Sequence, residues 1–88
     1  MTIVRDAECA AACVDPAVIG RLARRLESAA REAGKLGLKV FGGAHSGDLR
    51  MASGSGNRQG LILATMDGAW DGGDGGAYPD ADGLMRGE

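Results

Sequence analysis

Between Pro16 and Lys35 the apolar residues Val18, Ile19, Leu22, Leu26, Ala29, Ala30 and Ala33 recur at spacings of three and four. That period places them along one face of a helix. The other face carries Arg21, Arg24, Arg25, Glu27, Ser28, Arg31, Glu32 and Lys35, with Glu27 and Arg31 in the favourable i, i+4 order. Asp15-Pro16 marks the start, because the Asp15 carboxylate can cap free amides while proline at the first helical position gives up no needed donor. Gly34 or Gly37 can end the helix by turning left-handed. The apolar stripe is expected to meet the core. A short helix is expected before it, over the alanine-rich stretch Asp6 to Cys13. Thr2-Ile3-Val4 is too brief to assign.

Beyond the helix the pattern changes. Leu38 to Phe41, Leu49 to Ala52 and Leu61 to Met66 read as short strands separated by glycine- and serine-bearing links. The run Leu61-Ile62-Leu63-Ala64-Thr65-Met66 is the most continuous apolar stretch, and it is expected to be the most buried strand. Short links favour an antiparallel meander, and the long helix then covers one face of the sheet. The fold class expected is α+β: an amphipathic helix, preceded by a short helix, packed on a small three-stranded antiparallel sheet. The second face of that sheet needs its own cover, from the tail, a second copy or a foreign protein.

No regular element is predicted over 67–88, which is rich in glycine and aspartate. The division expected is an α+β core at 1–66 and a partly ordered or flexible segment at 67–88. Trp70, Tyr78, Leu84 and Met85 can pin that segment as an irregular loop on the sheet.

Composition sharpens this picture. With 88 residues, 16 glycines and three aromatic residues, the chain has material for one aliphatic core, and self-association as a homodimer is an expected source of added stability. Net charge is −2, but residues 1–60 carry nine basic and six acidic side chains while 61–88 carry one and six. This asymmetry suggests an interaction surface or an acidic tail. There is no leader-like start and no apolar run long enough for a membrane, so no membrane partner is expected and the default location is cytoplasmic, with Cys9 and Cys13 as thiols.

Candidate chemistry is sparse. Cys9 and Cys13, one helical turn apart, resemble half of a zinc site, but only His45 remains to join them. His45, Ser46 and Asp48 name the members of a hydrolase triad, yet neighbours in a loop rarely converge as one; a plain turn is the competing reading. Gly42-Gly43 lacks the lysine and the following helix of a phosphate loop, so no cofactor is expected. Asp80-Ala81-Asp82-Gly83 matches part of a calcium loop, and Asp67, Asp71, Asp74, Asp80 and Asp82 are the candidate metal ligands, weighed against ordinary turn aspartates. Arg21, Arg24, Arg25 and Arg31 are the candidate contacts for nucleic acid or an acidic partner. The function expected is a small non-enzymatic interaction or regulatory module whose partner is another protein or a second copy. The alternatives are a calcium- or metal-responsive binder using the aspartates, and a weak nucleic-acid binder using the arginines.

Overall fold

The computed structural model describes residues 1–43, 45–52, 54, 56–73 and 75–87. The fold is α+β. Helices α1 (Asp6–Ala12) and α2 (Pro16–Lys35) precede the strands β1 (Leu38–Gly42), β2 (Gly47–Met51) and β3 (Ile62–Met66), which form an antiparallel sheet in that order. A second, two-stranded antiparallel sheet joins β4 (Ala77–Pro79) to β5 (Met85–Gly87). The two helices and the three-stranded sheet match the expected elements. The β4–β5 pair was not foreseen in the pattern, because three-residue strands offer too few positions to show alternation.

The chain forms two compact units. One comprises Met1–Ser28 and Asp74–Glu88; the other comprises Ala29–Gly73, so the last turns of α2 belong with the three-stranded sheet. Residues 67–88 contribute to both.

Local chemistry sets the helix ends. Asp15 Oδ1 accepts the Ala17 amide at 2.9 Å and Pro16 opens α2, as the Asp-Pro pair implies. Of the two candidate stops, Gly37 takes the left-handed conformation, at φ 76°. Helix α1 ends on Cys13, which is left-handed at φ 58°. There the Val14 amide reaches the Cys9 carbonyl at 3.0 Å and the Cys13 amide reaches Ala10 at 3.2 Å, the paired bonds of a Schellman motif. A side chain in that conformation carries a steric cost that glycine avoids.

In the three-stranded sheet, Leu38 pairs with Met51, Val40 with Leu49, and Leu49 with Ala64. These residues share a face with Gly47 and Met66, and that face is apolar. The Trp70 indole lies over its Gly47 end, with ring atoms 2.5 Å from where a Gly47 Cβ would stand. Only a residue without a side chain admits the indole there. The other face holds Lys39, Phe41, Asp48, Arg50, Ile62 and Thr65.

Two burial expectations are corrected. Among the described residues, the buried apolar side chains are Cys9 and Ala33. Val18, Leu22 and Leu26 of the α2 stripe are 48%, 49% and 58% exposed, while Ile19 and Ala23 on the adjoining side are half-buried. The helical period defines an apolar face, but it does not say how much of that face the remaining chain can cover. Likewise β3, expected as the most buried strand, is an edge: Leu61, Ile62 and Leu63 are 45–55% exposed, and only Met66 of the run is half-buried. In a three-strand meander the middle strand is central whatever its neighbours' composition. The register shifts between Leu49 and Arg50, which leaves Leu63 as an extra residue on β3.

Two substitutions test these local arguments. Cys13→Gly relieves the left-handed strain and should raise unfolding stability by about 1 kcal/mol in urea titration. Gly47→Ala forces the indole off the sheet and should cost about 1–3 kcal/mol, accompanied by a change in Trp70 fluorescence.

Candidate interaction surface

Helix α2 presents Val18, Leu22 and Leu26 four residues apart, so the three side chains line up along one side. Arg21 and Arg25, each three residues after a member of that row, border it on one flank. Arg24 and Arg31, seven residues apart, share a different side. All four arginines that the sequence singled out are exposed.

The covered side of α2 has a local explanation. Val4 approaches Gly20, its Cγ2 lying 3.3 Å from where a Gly20 Cβ would stand, and the Arg24 guanidinium approaches the same point at 3.0 Å. Farther along, the Thr2 hydroxyl donates to Glu27, and the N-terminal ammonium pairs with the same carboxylate. Residues 1–4 therefore run along the Gly20–Glu27 side. The Val18–Leu22–Leu26 row stays about half exposed.

The aspartates have structural work of their own. Asp80 and Asp82 sit in the β4–β5 turn, where the Asp80 amide bonds the Leu84 carbonyl at 2.8 Å and Gly83 is left-handed at φ 82°. Asp80 Oδ1 accepts the Ala81 amide at 2.8 Å, and Asp82 Oδ1 accepts the Leu84 amide at 3.0 Å. Arg86 reaches back to both carboxylates, at 2.8 Å for Asp80. In the other unit, Asp71 accepts the Gly73 amide at 3.0 Å, and Asp67 is exposed. Asp74 lies outside the described residues. Among the described residues no three metal-ligating side chains stand together.

Beside the hairpin, an open cleft of about 550 Å³ is lined by Glu8, Ala11 and Ala12 of α1 and by Tyr78, Leu84 and Met85. Glu8 Oε2 accepts the Met85 amide at 2.8 Å, joining α1 to β5. Its carboxylate is thus engaged.

The remaining candidates separate. Cys9 is buried within α1, whereas Cys13 is exposed at its left-handed end. His45 is exposed in the β1–β2 turn, which the Gly43 amide closes onto the Ser46 carbonyl at 2.7 Å. Asp48 is directed elsewhere: it takes a bond from Arg50 at 3.0 Å and from the Thr65 hydroxyl at 3.2 Å. Arg50 also lies over the Phe41 ring at 4.1 Å, a cation–π contact. Arg50 Nε and Trp70 Nε1 are buried without an acceptor among the described residues. Sequence reasoning missed the Arg50 cluster, since its members come from three strands. It also missed the hairpin, for which Pro79, two aspartates and Gly83 between Tyr78 and Met85 were the available turn signal.

The Leu84 backbone amide and then Arg86 hold the Asp82 carboxyl below its ordinary value of 3.8. A carboxyl whose pKa is lower folded than unfolded adds stability that is present above the unfolded value and lost as pH falls through the folded one. The β4–β5 turn should therefore be insensitive from neutral pH down to about 4 and loosen below it. The Leu84 amide shift, followed by NMR through an acid titration, should report this change, and Asp82→Asn should remove it. Comparison of the chain with protein-family models, with curated proteins and with solved structures gives no match.

Proposed function

We propose that this chain is a small non-enzymatic protein-interaction module that engages its partner through the half-exposed apolar side of α2. The observation that carries the reading is the exposed row Val18, Leu22 and Leu26 bordered by Arg21 and Arg25. An apolar row on a helix with charges along one flank suits the groove or helix of another protein, with leucines supplying burial and arginines fixing orientation. The partner chemistry that fits is an apolar groove rimmed by carboxylates. Burying one leucine-sized side chain contributes about 1.5–3 kcal/mol before the costs of ordering, so two such residues suffice to decide binding.

No described helix is long and apolar enough to cross a membrane. A cytoplasmic, reducing setting forms part of the proposal and suits two free thiols, one of them exposed.

The test is a photoreactive residue placed at Val18 in cells that express the full chain. The expected result is a discrete adduct with one other protein, reduced about tenfold or more when Leu22→Asp and Leu26→Asp are added. Far-UV circular dichroism should show those exposed substitutions leaving the fold intact. Adducts that ignore the two substitutions, or adducts confined to nucleic acid, would overturn the reading.

A further inference from the structure

We propose that β3 pairs edge to edge with β3 of a second copy of this chain, antiparallel across a twofold axis, so that the two sheets become one. This surface is distinct from α2, and the proposal does not rest on the reading given for that helix.

The argument starts from a mismatch. Residues 61–66 have the composition of a strand buried on both faces, yet β3 is an edge with Leu61, Ile62 and Leu63 about half exposed. Natural edges are protected by charge, by proline or by brevity. Residues 61–66 contain no charged residue and no proline, and the bulge at Leu63 is the one protective device present. An unprotected apolar edge is a template for another strand.

Charge and symmetry select the occupant. A strand that pairs with its own copy meets a strand of the same net charge, which a charged strand resists and an uncharged strand accepts. β3 satisfies that condition. The opposite edge, β1, carries Lys39. Pairing β1 of one copy with β3 of the next would also run head to tail and leave edges free at both ends, whereas β3 with β3 closes as an isologous dimer.

Sedimentation equilibrium of the full chain across a dilution series tests this directly. The wild-type protein should have the mass of two chains, falling to one on dilution. Leu63→Lys, at an exposed position, should stay at one chain with an unchanged circular dichroism spectrum. Where the dimer predominates, the amides of residues 62–66 that face away from β2 should exchange roughly tenfold more slowly than in the dilute protein. Leu22→Asp in α2 should leave the dimer intact. A wild-type chain that is monomeric throughout, a dimer that survives Leu63→Lys, or one dissociated by Leu22→Asp instead would each overturn the proposal.

Discussion

The constraint behind every feature of this protein is a shortage of side-chain volume. Sixteen of 88 residues are glycine, three are aromatic, and many of the apolar positions of the helices are alanine. Side chains of that size fill little space, and the apolar side chains buried among the described residues are a cysteine and an alanine. Backbone hydrogen bonding and local capping then carry a larger share of the order: the Asp15 cap, the Schellman turn at Cys13 and the aspartate-held hairpin at Asp80–Leu84. The largest side chain in the protein, Trp70, is accommodated by removing side-chain volume beneath it at Gly47.

The same shortage accounts for where apolar surface remains. Large aliphatic side chains stay about half exposed in the leucine row of α2 and in the run at β3. Each surface has its own geometry. A helix row offers side chains to a groove and takes direction from flanking arginines, whereas a sheet edge offers backbone groups and selects an uncharged strand. The two surfaces belong to different compact units of the chain.

The candidate polar sites show how adjacency in sequence misleads. Asp80-Ala81-Asp82-Gly83 resembles a cation loop because alternating carboxylates and a glycine serve both a cation loop and a tight turn; in this fold the carboxylates accept the turn's own amides and Arg86. His45, Ser46 and Asp48 are neighbours, yet strand geometry sends Asp48 toward Arg50 and Thr65. Cys9 and Cys13 are one turn apart, yet one is buried in α1 and the other is exposed at its left-handed end. In each case the residue type was legible, and the direction of the side chain was decided by the backbone around it.

By itself the sequence determined the elements whose signals are local. The Asp15-Pro16 start, the three-and-four spacing of α2, the glycine stop after it and the three short strands all depend on signals within a few residues, and each element is present, with β2 beginning two residues before the expected Leu49. Only the tertiary structure decided burial. Whether Leu22 faces a core, whether residues 61–66 form a central strand or an edge, and where Trp70 comes to rest depend on segments far apart in the chain. Periodicity records which side of an element is apolar, but the volume available to cover that side is a property of the whole fold.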